Sequence, residues 1–97
     1  MLRHVVLLKF VDEATQEQRQ AVLDGLATLP SAIPSIRSYV FGLDAGIAEG
    51  NYDIAVVADF DDASGHRDYA AHPAHQQFIA ERIRPILAAR SAVQYEI

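Results

Sequence analysis

The segment RDYAAHPAHQQF, residues 67–78, carries the side chains best suited to acid–base chemistry. Tyr69, His72 and His75 follow one another at intervals of three residues, so a continuous helix would place neighbouring members on one face. Histidine changes its charge near neutral pH, and such a cluster could take up and release protons. Pro73 complicates the pattern, because the residue before a proline is driven away from helical geometry. The segment is therefore equally compatible with a capped helix start, with His72 at the cap, His75 in water and Tyr69 partly in the core.

A further histidine, His4, lies in the apolar stretch LRHVVLLKF. Strand alternation places it on the same face as Leu2, Val6, Leu8 and Phe10. Burial disfavours the imidazolium form, so the pKa of His4 should fall unless an acid or a phenol partners it. On such a face His4 is either a hydrogen-bonded structural group or a polar group in a small-molecule pocket.

Metal and cofactor chemistry are not indicated by these residues. His72 and His75 with Asp68 lack a convincing third ligand, so no metal site is predicted. The chain has no cysteine, which excludes disulfides and thiolate ligands. Glycine-rich phosphate loops, nucleophile elbows and dinucleotide fingerprints are also missing from the sequence, and no cofactor is predicted.

The remaining acidic and histidine residues favour structural interpretations. Asp53 and Asp59 lie six residues apart on one strand face, roughly 20 Å at strand rise, so they mark strand ends rather than a carboxylate pair. His66 stands between Asp62 and Asp68, a pattern typical of a solvated helix face.

Length and charge restrict the protein class. Ninety-seven residues predict one domain, residues 1–97. The net charge of −5, without any basic run, argues against nucleic-acid binding and against attraction to an acidic membrane surface. Lys9 cuts the N-terminal apolar run short of a membrane span, and no signal-peptide cleavage site follows it. A cytoplasmic location is the expectation.

Hydrophobic periodicity predicts the order strand, helix, strand, strand, helix, strand. The predicted strands are residues 2–10, 36–43, 52–60 and 91–97. The first predicted helix begins with a capping box at Thr15 and Gln18 and stops near Pro30. A short helical segment precedes the second predicted helix, which begins at Pro73 and is kinked or ended by Pro85.

This order is that of the ferredoxin-like, split βαβ fold of the α+β class, with a four-stranded antiparallel sheet and helices on one face. The first and third strands are apolar on both faces, so the face without helices needs a cover. A second copy of the sheet is the predicted cover, which makes the protein a homodimer. Such a dimer encloses an interior that could serve as a pocket, with His4 pointing into it if its strand face lines that interior.

Three segments, HVVLLKF, YDIAVVADFDD and DYAAHPAHQQF, together resemble the stress-responsive dimeric A/B barrel (Dabb) family over essentially the whole chain. The resemblance implies a dimeric α/β barrel. One plant member of the family closes and aromatises a linear polyketide without a cofactor. By that similarity, His75 is the expected general base next to a carbonyl, Tyr69 holds it or donates to the enolate oxygen, and His4 and His72 line the pocket.

The interpretation is therefore a homodimer with an apolar pocket in each subunit, which binds a small carbonyl or aromatic compound and is a candidate for cofactor-free acid–base chemistry. Two alternatives stay open. One is a structural or stress-protective dimer without enzymatic activity. The other is a cofactor-independent monooxygenase or isomerase. The sequence does not indicate the substrate.

Overall fold

The elements follow one another in the predicted order of a ferredoxin-like fold. The computed structural model describes all residues 1–97. Its strands are β1 (Leu2–Phe10), β2 (Ser38–Leu43), β3 (Ile54–Phe60) and β4 (Leu87–Glu96), and its helices are α1 (Gln16–Ala32), α2 (Ala63–Ala71) and α3 (Pro73–Phe78). A π-helical turn (Ile79–Ile83) and a 3₁₀ turn (Arg84–Ile86) connect α3 to β4. The strands form one antiparallel sheet in the order β2-β3-β1-β4, which confirms the predicted α+β fold.

Several predicted boundaries differ from the observed ones. Strands β2 and β3 each begin two residues later than predicted, at Ser38 and Ile54, because strand pairing starts only there. Helix α1 begins with the predicted capping box, in which Thr15 Oγ1 accepts from Gln18 N and Gln18 Oε1 accepts from Thr15 N. The helix then passes Pro30, which is exposed, and ends at Ala32. Strand β4 begins at Leu87 rather than at residue 91, since Leu87 pairs with β1 across a bulge.

The core lies between the sheet and the helices. The inward residues of β1 pack with Val22, Leu26 and Leu29 of α1. Gly25 lets α1 approach α3 closely, because a Cβ at this position would lie 2.5 Å from two ring carbons of Phe78. The face of β1 that carries His4 is therefore the face that the helices cover. The expected pocket between two sheets is wrong in its location: the cavity described below lies between the sheet and the helices of one chain.

The opposite face of the sheet carries a row of four valines. Val40, Val57, Val5 and Val93 are register partners on β2, β3, β1 and β4. Val40 and Val93 are more than half exposed. This outer face has no helix on it, as the ferredoxin-like element order predicted, and its valines are apolar side chains that a second copy of the sheet could cover.

Two aspartates have partners that sequence spacing did not reveal. Asp59 is buried near the end of β3 and forms a bidentate ion pair with Arg3, at 2.8 Å and 2.9 Å. Asp53 lies just before β3, where its carboxylate accepts from Phe10 N at 2.7 Å. Both carboxylates therefore fix strand β1 against β3.

Candidate active site

A cavity of about 190 Å³ lies between the inner face of the sheet and the helices α2 and α3. An apolar cavity of about 150 Å³ can hold benzene, so this one has room for an aromatic ring with a short substituent. Its wall is mainly apolar, with three histidines, two tyrosines, an arginine and a glutamine among the lining residues. The polar lining residues are His4, Tyr39, His66, Tyr69, His75, Arg90 and Gln94.

The break between α2 and α3 decides which histidine reaches the cavity. His72 has extended backbone geometry before Pro73, with φ −63° and ψ 135°. Its ring turns back to cap α3, and Nδ1 accepts from Ala74 N at 3.1 Å. His72 does not line the cavity, so the prediction that it does is wrong. The proline effect that complicated the helical spacing makes this residue a cap.

His75 lines the cavity and holds its proton on one defined nitrogen. Nδ1 lies 3.3 Å from the Ala70 carbonyl oxygen, and a carbonyl oxygen can only accept. The neutral ring therefore carries its proton on Nδ1 and keeps the lone pair on Nε2. Nε2 has no partner in the protein and is not sealed from solvent. Burial lowers the pKa of His75, which keeps the ring neutral at pH 7 and ready to accept a proton.

Tyr69 lies against His75, with ring centroids 4.1 Å apart. Its side chain is buried, and its hydroxyl is 2.9 Å from the hydroxyl of Tyr39 on β2. Burial raises the pKa of both phenols, so each remains a protonated hydrogen-bond donor at neutral pH. When Tyr39 donates to Tyr69, the Tyr69 hydroxyl hydrogen is available to an oxygen atom in the cavity.

His4, on strand β1, contributes a further polar group to the cavity lining. Gln94 Nε2 lies 2.8 Å from His4 Nδ1, and an amide nitrogen can only donate. The proton of His4 therefore resides on Nε2, and this ring, which lines the cavity, can donate only through that atom. Burial, and then the charge of His66, lower the pKa of His4 to about 4.

Four of the polar lining residues were not identified from the sequence. His66 packs on His4 with ring centroids 4.6 Å apart and is not on a solvated face as predicted. Its spacing of three residues before Tyr69 on α2 was the signal that could have found it. Tyr39, Arg90 and Gln94 gave no such signal, since only strand pairing brings β2 and β4 to this cavity.

The structure contains neither a cluster of metal-binding side chains nor a membrane-spanning helix. No group of three or more histidine, aspartate or glutamate side chains has the geometry of a metal site. None of the helices combines the length and apolarity required to cross a bilayer.

Two plant proteins are similar to this chain in sequence. The chain is 30% identical to olivetolic acid cyclase of Cannabis sativa over 79 residues, which cover 79% of this chain and 78% of the cyclase. It is 28% identical to a stress-response A/B barrel domain-containing protein of Arabidopsis thaliana, over 79% of this chain and 72% of that protein.

A crystal structure from Thermobifida fusca, of a dimeric ferredoxin-like protein of unknown function, superimposes with a TM-score of 0.91 at 46% identity, covering 99% of this chain and 90% of that one. This dimeric neighbour supports self-association of the chain described here. The family model described as the stress responsive A/B barrel domain matches residues 2–97. The chain thus belongs to the stress-responsive A/B barrel domain (Dabb) family.

Proposed function

We propose that the protein is a homodimer whose subunits each bind a small carbonyl or aromatic compound in the cavity and transform it by acid–base chemistry without a cofactor. The observation that carries the proposal is the contact of His75 Nδ1 with the Ala70 carbonyl oxygen at 3.3 Å, from which the tautomer of His75 follows. Its Nδ1 proton is held by the Ala70 carbonyl, and the accessible Nε2 lone pair borders an apolar cavity.

In the proposed reaction, His75 Nε2 removes a proton from the carbon next to a carbonyl group. The electron pair of the broken C–H bond moves onto the carbonyl oxygen and forms an enolate. The Tyr69 hydroxyl, backed by Tyr39, donates a hydrogen bond to this oxygen, and the Nε2–H of His4 is a second donor. The enolate then attacks another carbonyl of the same molecule or recovers a proton from His75.

The similarity to olivetolic acid cyclase supports a carbonyl substrate and a ring-forming reaction. The size of the cavity supports a ligand built around one aromatic ring or a short apolar chain. The valine row on the outer face supports the homodimer, because a half-exposed apolar row is stabilised by a second copy of the same face.

Proton exchange tests the first chemical step without knowledge of the natural substrate. The neutral ketone 4-phenylbutan-2-one is dissolved in heavy water, and NMR follows the replacement of hydrogen by deuterium next to its carbonyl. We expect the wild type to accelerate this exchange and His75→Asn to return it to the rate of buffer. Asparagine retains an N–H near the position of Nδ1 and can still donate to Ala70, but it has no basic nitrogen.

Two further variants complete the test. Tyr69→Phe should slow the exchange by about tenfold to a hundredfold, because it removes a donor to the enolate. His72→Asn should leave the rate unchanged, since His72 lies outside the cavity and asparagine preserves the helix cap. Exchange that is absent in the wild type, or equal in wild type and His75→Asn, would reject the proposed chemistry.

A further inference from the structure

The charge on the cavity wall has one sign. None of the lining residues is an aspartate or a glutamate, although the chain has 13 acidic residues and a net charge of −5. The single formal charge on the wall is the guanidinium of Arg90. An apolar cavity with one cation and no acid favours a ligand that carries a negative charge.

Arg90 has no partner within the protein. Three other arginines are used in ion pairs, Arg3 with Asp59, Arg19 with Asp53 and Arg37 with Asp61. Arg90 makes no ion pair and no side-chain hydrogen bond. The N–H groups of its planar guanidinium are therefore free to bind a ligand. Their geometry suits a carboxylate, which can accept two parallel hydrogen bonds from them.

The position of Arg90 in the sheet places it at the entrance of the cavity. It lies on β4, an edge strand that pairs only with β1, and it is exposed while also lining the cavity. Its register partner is Leu8, whereas Gln94 pairs with His4 four residues further along the same strand. At strand rise, these two positions are about 13 Å apart. Arg90 and the His4–Gln94 pair therefore line different parts of the cavity wall.

We propose that the ligand of this cavity is a carboxylic acid, with Arg90 binding its carboxylate at the entrance and its apolar body inside. The inference rests on the proposed function and names the substrate class for it. Burial lowers the pKa of all three cavity histidines, and the charge of Arg90 lowers it further. A bound carboxylate would neutralise this charge, so binding of the acid and protonation of the histidines are linked.

A pair of probes that differ in charge and hardly in shape tests the inference. Calorimetric titration compares 4-propylbenzoate with 4-propylbenzamide at low ionic strength. We expect the wild type to bind the benzoate about tenfold more tightly than the benzamide, because a charge-assisted bidentate contact is stronger than a neutral one. Arg90→Gln should reduce benzoate affinity to that of the benzamide and leave benzamide affinity unchanged. Arg90→Lys should retain part of the preference as a point charge.

The matched control is Arg84→Gln, which removes the same charge from an exposed arginine that has no ion pair and does not line the cavity. It should leave both affinities unchanged. Equal binding of the two probes to the wild type, or an equal loss in Arg84→Gln and Arg90→Gln, would overturn the carboxylate inference. Failure of both probes to bind at millimolar concentration would also overturn it. The proton-exchange experiment uses a neutral ketone and therefore tests the proposed function separately.

Discussion

The ring of His75 packs against the ring of Tyr69, with centroids 4.1 Å apart and planes tilted by 40°, and this contact exists because the helix between them is broken. On a straight α-helix, side chains six residues apart point roughly 120° away from each other and lie about 9 Å apart along the axis. The extended geometry of His72 before Pro73 ends α2 and lets α3 start in a new direction. The proline that disrupts the three-residue spacing is thus what brings the proposed base and donor together.

The stability of His75 variants should separate folding from catalysis. The Ala70 carbonyl also accepts from Gln76 Nε2 at 2.6 Å, so removal of the imidazole does not leave it unpaired. We expect His75→Asn to change the free energy of unfolding by less than about 1 kcal/mol, well below the roughly 1–3 kcal/mol that a stranded buried group costs. Urea unfolding at fixed protein concentration measures this, because dimerisation makes stability depend on concentration.

His75→Ala serves as the comparison, because it removes the imidazole ring without leaving the amide that asparagine keeps near the position of Nδ1. Its loss should exceed that of His75→Asn, since alanine can neither donate to the Ala70 carbonyl nor fill the space beside Tyr69. A loss of about 3 kcal/mol in His75→Asn would mean that His75 stabilises the fold. A role in catalysis would then require exchange activity measured on a variant that is shown to be folded.

The sequence was sufficient for the fold because local signals and global packing agree. Strand alternation in β1 and β3, the capping box at Thr15 and the helix start at Pro73 each predict what the structure contains. The same signals were weaker at chain reversals. The predicted start of β4 lies four residues too late, because the helix-forming run before it contains no glycine. Only pairing with β1 fixes Leu87 as the first strand residue.

Only the site residues that belong to a recognisable local sequence pattern could be predicted from the sequence. His4, Tyr69 and His75 belong to short segments with recognisable patterns, and all three line the cavity. Arg90 and Gln94 come from the last strand, and nothing in their own neighbourhood says that they meet α2. Such contacts depend on the order of the strands in the sheet, and the hydrophobic periodicity of a single segment does not reveal that order.

Stability should depend on pH through the buried His4. Its pKa is about 4 in the folded chain, against an ordinary value of about 6.5. Between these values the unfolded chain binds more protons, so stability is complete above about pH 6.5 and falls as the pH is lowered toward 4. This shift corresponds to roughly 3 kcal/mol. His66 and His75, whose pKa values are also lowered by burial, act in the same direction.

The variant His4→Asn isolates this effect, because an asparagine oxygen can accept from Gln94 as Nδ1 does and does not titrate. Denaturant unfolding of both proteins across the window from pH 4 to 7 should show a shallower slope for the variant. Identical slopes would mean that His4 is not the group that destabilises the fold on acidification. The carboxylates of Asp59 and Asp61, whose pKa values are held low by arginines, are common to both proteins.

The valine row on the outer face should control the oligomeric state. A lysine at Val93 would place a charge in the proposed sheet-to-sheet contact, where it has no partner. We expect Val93→Lys to convert the dimer into a monomer in analytical ultracentrifugation at micromolar concentration. Ile47→Lys provides the control, since Ile47 is 89% exposed in the loop between β2 and β3 and outside the valine row. A monomeric wild type, or dissociation of both variants alike, would contradict the face-to-face arrangement.

The contact of Gly25 with Phe78 should set both the stability of the fold and the shape of the cavity. An alanine at position 25 would bring its Cβ to 2.5 Å from two ring carbons of Phe78, and Phe78 is part of the cavity wall. Alanine favours a helix interior over glycine by about 1 kcal/mol, but overpacking costs about 1–3 kcal/mol, so Gly25→Ala should be destabilising.

A double-mutant cycle identifies the cause of that loss. Phe78→Leu removes the ring that blocks the new methyl group, so Gly25→Ala should cost less in the Phe78→Leu background than in the wild type. Gly42→Ala is the control for a simple glycine replacement, because nothing lies within 4 Å of its Cβ position. Equal costs of Gly25→Ala in both backgrounds would show that the Phe78 ring is not the cause of the loss, and the overpacking explanation would be wrong.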